Sequence, residues 1–330
     1  MKRRCIDAVA IAALPLAAAC TVGPDYVRPD AMPPNVAQPA AYKELAGWKQ
    51  AQPRDDAARG KWWEVFGDPL LNSLQEQVVS NQDLAQAEAR YRQALALLAS
   101  ARALRLPSAS GAVSATRSRA SETTRALSSS AAATSYNLPF NAAWEADLWG
   151  RIGRGAEAAA AGAQASAADL ETARLSLHAQ LAQSYFQLRA LDSQRQLLEQ
   201  TIAGYEKSLQ LSQNQYKAGV VSKSDVVQAQ TQLKTTQAQL IDIGVARAQL
   251  EHAIGVLAGR PPSGFSVARA PLAAVPPSVP VGLPSELLER RPDVAAAERR
   301  MAQANALVGV AEAAYFPSLT ISAGAGFQSS

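Results

Sequence analysis

Cysteine is almost missing from this chain, and the two that occur, Cys5 and Cys20, cannot build a disulfide framework. Histidine is as scarce. His178 and His252 have no partner at metal-ligand spacing, so neither a zinc site nor a Cys–His nucleophile is expected, and nothing calls for a cofactor. Aromatic residues make up only 6% of a sequence that is 48% hydrophobic, so alanine and leucine carry the apolar content. That is the composition of long helices with small side chains. No apolar run of transmembrane-helix length follows Cys20, so any membrane crossing would have to be made by strands. No basic cluster interleaved with aromatics is present either, and a nucleic-acid partner is not expected.

The N-terminus reads as an export signal over residues 1–19. Lys2, Arg3 and Arg4 form a basic start, Ala8 to Ala19 a short apolar core, and a small residue precedes Cys20. Removing that segment takes away three basic residues and one acidic one, which lowers the formal charge from +4 to +2, so part of the basicity belongs to the signal. The run Leu16-Ala-Ala-Ala-Cys20 resembles a bacterial lipobox, in which the cysteine is acylated and becomes the new N-terminus, although Leu16 stands one place further from the cysteine than in the usual pattern. An ordinary secretory signal with A-x-A cleavage is the alternative.

Residues 20–60 are rich in proline, alanine and polar side chains, as suits a tether between an anchor and a folded body. A helix is expected over residues 69–104, opened by the N-cap candidate Asp68 with Pro69 at its first position and closed before Pro107. Over residues 136–148, Tyr136, Leu138, Phe140, Ala142, Trp144, Ala146 and Leu148 alternate with Asn137, Pro139, Asn141, Ala143, Glu145 and Asp147, the pattern of a strand with one apolar and one largely polar side. Residues 318–328 repeat the pattern with Leu319, Ile321, Ala323, Ala325 and Phe327, and residues 108–118 show a weaker version. Such alternation fits the half-buried sheet of a soluble domain. It fits equally a membrane barrel, apolar side to lipid and polar side to a watery lumen.

Helical periodicity is stronger still. A 4,3 spacing links Leu177, Leu181, Ser184, Leu188, Leu191, Arg195, Leu198, Ile202, Tyr205, Leu209, Ser212 and Tyr216, and a second seam links Val226, Ala229, Leu233, Thr236, Leu240, Ile243, Arg247, Leu250, Ile254 and Leu257. Only Ala218-Gly219-Val220-Val221-Ser222-Lys223 separates them, which predicts an antiparallel hairpin of a long helix, about 150–217, and a return helix, about 223–258. At about 1.5 Å per residue the long helix would measure roughly 100 Å, about twice either the return helix or the helix over 69–104. Gly219 can take a positive φ and end the long helix, and Ser222 or Ser224 can cap the next. Asp225 then favours that helix start through the dipole.

The chain also repeats itself. A shift of 210 residues aligns Asp83–Ser108 with Asp293–Ser318 at 13 identical positions of 26, and both copies read helix, proline, strand. A repeat of this length marks a duplicated domain rather than a solenoid. The first copy covers 61–259, a proline-rich linker 260–283, and the second copy begins at 284–330; a second copy as long as the first would carry the protein to about residue 470, and on that expectation three of four strands are in hand.

In order along the chain stand Cys20-Thr-Val-Gly-Pro-Asp-Tyr-Val-Arg-Pro29, then Trp62-Trp63 with Phe66, Asp68-Pro69, Leu71 and Leu74, then Trp144-Glu-Ala-Asp-Leu-Trp-Gly-Arg151, then Leu283-Pro-Ser-Glu-Leu-Leu-Glu-Arg-Arg-Pro-Asp293 and Phe316-Pro-Ser-Leu-Thr320. Together these resemble the outer-membrane efflux family, the TolC-like exit ducts, and within it the lipoprotein branch that serves multidrug pumps. The resemblance implies a mainly α fold with transmembrane β: long coiled-coil helices in a periplasmic α-barrel, and strands of a twelve-stranded outer-membrane β-barrel shared by a homotrimer. It implies a passive conduit for drugs or other small toxic molecules, working with a periplasmic adaptor and an inner-membrane pump, of the RND type, and embedded in outer-membrane lipid. Cys20 would be lipidated. Gly219, Val220, Val221 and Ser222 would form the periplasmic tip that meets the adaptor. Ser224 and Asp225 would help to tie the entrance shut, while Glu145 and Asp147 would face the lumen, and the 260–283 linker would join a belt near mid-height.

Two other readings compete. A structural periplasmic coiled-coil lipoprotein without transport activity explains the heptads and Cys20, but neither the amphipathic strands nor the repeat. An exported glycosidase would use Glu145 and Asp147 as an acid/base pair; a polar lumen accounts for them without catalysis, no nucleophile–base pair stands out elsewhere, and an enzyme is not expected.

Overall fold

A computed structural model describes residues 21–27, 60–119, 132–273 and 290–330. The export signal, Cys20, most of the tether and the stretch 283–289 lie outside the described residues. The chain divides into two compact units, one of Met1–Glu44, Tyr91–Ala167 and Ala295–Ser330, the other of Leu45–Arg90 and Ala168–Val294.

The first unit holds an antiparallel sheet built around β3, Ala133–Ala146. Along one edge of β3 lie β1, Ser108–Gly111, and β2, Ser114–Ser118; along the other lies β4, Leu319–Ser329. The single strand expected over 108–118 is therefore split, and the cause is Pro139. Ala112 N–H donates to the Pro139 carbonyl at 3.1 Å, but proline has no N–H to return, so the ladder lapses there while the register runs on unchanged. Register places like with like. Leu138 faces Phe327, Phe140 faces Ala325 and Trp144 faces Ile321 on one side of the sheet, while Asn137 faces Gln328 and Glu145 faces Thr320 on the other. The apolar side is open: Phe140 is 52%, Ile321 55% and Phe327 76% exposed.

The repeat is visible in the helices that feed this sheet. Helix α2, Gln82–Ala103, and the later helix Pro292–Ala313 have the same length of 22 residues at the same offset, and each leads through a turn and a proline into a strand. The helix expected over 69–104 is not continuous, because α1, Pro69–Gln77, gives way to a 3₁₀ turn, Val78–Ser80, and α2 starts afresh. Asn81 makes the break. Its Oδ1 accepts from Asp83 N at 2.8 Å and so caps α2, while its Nδ2 donates to the carbonyls of Val256 and Leu257, both at 3.2 Å.

Helix α3, Arg151–Lys217, begins in the first unit, and from Ala168 on it forms, with α4, Lys223–Leu257, the hairpin that dominates the second. Every seam position of both helices is buried or half-buried except Tyr216 beside the turn. Tyr205 receives Gln232 Nε2 at 3.5 Å and Asp192 receives Arg247 Nε at 2.6 Å, pairs that recede from Gly219 in step, as antiparallel packing requires. Beyond them a core gathers Leu71, Leu74 and Val78 with Leu181, Tyr185, Leu188 and Ile254. The last helix, Pro292–Ala313, is α5.

Candidate functional site

No described helix is long and apolar enough to cross a membrane, and no group of His, Cys, Asp and Glu among the described residues could hold a metal ion. The features that can act are the two-faced sheet, the junction from which it springs, and the hairpin turn.

At the junction each polar or aromatic residue of the Trp144–Arg151 motif has a structural task. Trp144 donates its indole N–H to the Arg105 carbonyl at 3.1 Å, and Glu145 takes Arg151 in a two-toothed ion pair at 2.7 and 2.8 Å. Asp147 accepts from Ile152 N at 2.9 Å and Gly153 N at 2.6 Å, pairing two of the first amides of α3. Trp149 stacks on Phe316 at 4.6 Å and donates to the Pro317 carbonyl at 2.8 Å, while Gly150 takes φ +76° where the chain turns into the helix. The expectation that Glu145 and Asp147 share one strand face is thus corrected. The strand ends at Ala146, and Asp147 serves as a helix cap because the first amides of α3 would otherwise be unpaired.

The hairpin turn follows its expected chemistry. Gly219 has φ +74°, its N–H reaches the Tyr216 carbonyl at 3.0 Å, and Val220 N–H reaches Gln215 O at 2.9 Å, closing the C-terminus of α3. Ser222, not Ser224, is the N-cap of α4: its Oγ accepts from Asp225 N at 3.3 Å, while Asp225 Oδ2 accepts from Ser222 N at 2.8 Å and from its hydroxyl at 2.7 Å. These bonds, the hydroxyl first, hold the Asp225 carboxyl below its ordinary pKa. Val220 is 71% exposed and Ser222, Ser224 and Asp225 are exposed, with Val221 half-buried between them. Cys20 lies outside the described residues.

Two constellations escaped sequence reasoning. Thr21–Val27 is not free tether: Val22 N–H donates to Trp149 O at 3.1 Å, Arg154 holds Asp25 at 2.7 Å and the Gly23 carbonyl at 3.2 Å, and Asn305 donates to Pro24 O at 2.9 Å. Asp25 and Glu157 hold the Arg154 guanidinium above its ordinary pKa. Gly23 and Gly309 pack so closely that a Cβ at Gly23 would stand 2.4 Å from the Gly309 Cα. In the second unit a buried charge network straps residues 265–272 to the hairpin. Asp192, with Arg189 at 3.5 Å and Arg247 at 2.6 Å, also accepts from Ala270 N, and Arg247 and Arg189 donate to Val267 O and Ala268 O at 2.6 and 2.7 Å. Arg247 at a seam position was the available signal, since a charge in a helical core needs a buried partner. Nearby, Tyr185 donates to the Asp68 cap, and burial, with that bond, pushes the phenol up to about 12. His178, stacked on Trp63 at 4.4 Å and bonded to Gln75 at 2.6 Å, is held below its ordinary value by burial and by Arg174.

Comparison with known proteins joins these features. Residues 73–260 and 283–330 match the family of outer membrane efflux proteins. Similar relatives include the pyoverdine export outer membrane protein OpmQ of Pseudomonas aeruginosa, 33% identical over 88% of this chain and 62% of that protein. Another is the toluene efflux pump outer membrane protein TtgF of Pseudomonas putida, 32% identical over 93% of this chain and 64% of that protein. The chain thus spans less than two thirds of the length of these relatives. Among solved structures, the outer-membrane channel OprN superposes with a TM-score of 0.78 at 33% identity, over 94% of this chain and 68% of that one. The outer membrane protein VceC of Vibrio cholerae follows at 0.70 and 27%, over 81% of this chain and 64% of that one. With nearly three quarters of its length matched and its fold shared with these channels, the chain belongs to the outer membrane efflux protein family.

Proposed function

We propose that this protein is the exit duct of a tripartite efflux system, a passive outer-membrane channel for drugs or other small toxic molecules, and not an enzyme. The observation that carries this reading is the sheet: one side sets Tyr136, Phe140, Trp144, Ile321 and Phe327 in the open, and the other carries Asn137, Asn141, Glu145, Thr320 and Gln328. A face so apolar is costly in water and at home in lipid, whereas its polar reverse suits a wet lumen. The 14 residues of β3 and 11 of β4, rising about 3.4 Å each, are long enough to cross a bilayer at the usual tilt. An isolated sheet would leave unpaired edges in hydrocarbon, so the sheet must close with other copies, and the homotrimeric twelve-stranded barrel is the form of closure that the family resemblance implies.

In this reading Cys20 carries the lipid, Gly219, Val220, Val221 and Ser222 touch the periplasmic adaptor, and an inner-membrane pump of the RND type supplies the energy. Glu145 lies on the lumen side, its charge balanced by Arg151. Ser224 and Asp225 link neighbouring helices at the gate when the capping box of α4 releases the Asp225 carboxylate. Spin labels at Phe140→Cys and Asn141→Cys test the two-sided sheet in the protein embedded in membrane. The first should collide with dissolved oxygen and the second with a water-soluble nickel chelate; equal exposure of both to the nickel chelate would refute the membrane assignment.

A further inference from the structure

Arg102, in the last turn of α2, and Arg105, in the turn before β1, both line a cavity of about 430 Å³ whose walls also include Thr21, Asp25, Asp147, Arg154 and Glu157. The carboxylates there are engaged elsewhere: Asp147 caps α3, while Glu157 and Asp25 pair with Arg154 at 2.9 and 2.7 Å. Among the described residues, the Arg105 guanidinium reaches the Gly153 carbonyl alone, at 3.4 Å, and Arg102 has no carboxylate partner. The wall thus carries three arginines and three carboxylates, of which Arg102 and Arg105 alone among the arginines have no ion pair within 4 Å among the described residues.

The repeat removes the plain structural explanation. The second copy builds the same turn with Glu312 and Tyr315 at the equivalent positions, closing it with Tyr315 N to Glu312 O at 3.1 Å, where the first copy has Arg105 N to Arg102 O at 3.2 Å. Arginine is not required by the turn. Its surroundings are those of a membrane boundary. Leu104 and Leu106, on either side of Arg105, are 62% and 68% exposed, Trp144 bonds to the Arg105 carbonyl from the apolar side of the sheet, and Tyr315 and Phe316 stand exposed at the matching turn. Amphipathic aromatics mark the level of lipid headgroups, and arginine beside exposed leucine holds its charge at that level while its neighbours enter the acyl region.

Resting on the reading of the sheet as membrane wall, the geometry points to a binding site for the phosphodiester of a phospholipid headgroup at Arg102 and Arg105, on the periplasmic side of the bilayer. Guanidinium suits phosphate through paired N–H donors. The site seats a lipid at the foot of the sheet beside Thr21, the first residue after Cys20.

The protein, purified in dodecyl maltoside, is titrated with dioleoyl phosphatidylglycerol, and retained lipid is read by native mass spectrometry. Wild type should keep lipid that Arg102→Gln/Arg105→Gln loses with at least tenfold weaker apparent affinity, while Arg102→Lys retains an intermediate affinity; circular dichroism at 222 nm confirms that all three are folded. Equal retention by wild type and the double variant overturns the proposal. Displacement of the lipid by millimolar inorganic phosphate, or failure to prefer phosphatidylglycerol over dioleoylglycerol, overturns the lipid assignment. Channel conductance is recorded on the same samples: loss of lipid with no conductance in any sample would sink the duct and leave the site, whereas conductance with unchanged lipid would sink the site and leave the duct.

Discussion

Asp192→Asn should unfasten the strap over residues 265–272. The Asp192 carboxylate is 3% exposed and holds Arg247 at 2.6 Å, Arg189 at 3.5 Å and the Ala270 amide at 3.2 Å. The amide keeps the shape but removes the charge, leaving two buried guanidinium groups with Glu251, at 3.0 Å from Arg247, as the remaining carboxylate of the network. Breaking one partner of a buried pair costs about 3–5 kcal/mol, here shared between the whole unit and local opening of the strap. Even about 3 kcal/mol on local opening raises the open population roughly a hundredfold. Arg269 lies exposed in the strap and makes the bond to Ala270 a trypsin site, so limited trypsinolysis with mass-spectrometric identification of the cut reads that population. Cleavage after Arg269 should quicken by a factor of ten or more in Asp192→Asn and in Arg247→Gln, with the double variant far short of the product of the two. Cleavage at the wild-type rate in Asp192→Asn would show that the network does not hold the strap.

Other outcomes follow from the same contacts. Because the folded Tyr185 keeps its proton up to about pH 12 while an unfolded tyrosine loses it near 10, stability should fall between those values; Tyr185→Phe removes that part of the alkaline slope seen in thermal melts. His178 is depressed when folded, so stability present above about pH 6.5 should decline as the pH falls below it, with a change in Trp63 fluorescence that is absent in His178→Gln. Arg154→Met should release Thr21–Val27 and expose it to proteolysis, since it severs both the Asp25 pair and the Gly23 bond. At the hairpin turn, Asp225→Ala should raise the resting conductance of intact oligomers; unchanged conductance would leave Asp225 its capping box alone.

The long helices were legible because their signals are local and repeated: two seams with a 4,3 spacing, a glycine that needs positive φ, and a serine three places before an aspartate. The strands were legible as alternations, but their ends were not, because these depend on partners distant in sequence. Asp147 continues the alternation of β3 perfectly and still leaves it, drawn to the amides of α3. Pro139 splits the opposing strand from across the ladder, and Asn81 breaks a helix whose composition shows no reason to stop, by bonding to carbonyls some 175 residues away. The charge network could be suspected from Arg247 in a seam, yet its acceptors are backbone groups of a proline-rich stretch that no side-chain pattern announces. The fastening of Thr21–Val27 rests on the Arg154–Asp25 pair, on carbonyl acceptors and on a glycine contact, all with partners far along the chain, which a single sequence does not pair.

The exit duct is tested most directly by adding the protein, purified from its own outer membrane, to one side of a planar lipid bilayer under a fixed voltage and recording single-channel current. The proposed lumen should give discrete, uniform conductance steps that need no nucleotide or ion gradient, and the steps should grow when the helical tip is opened by Asp225→Ala. Protein that inserts into the bilayer as intact oligomers yet passes no current, with or without that substitution, would contradict the account.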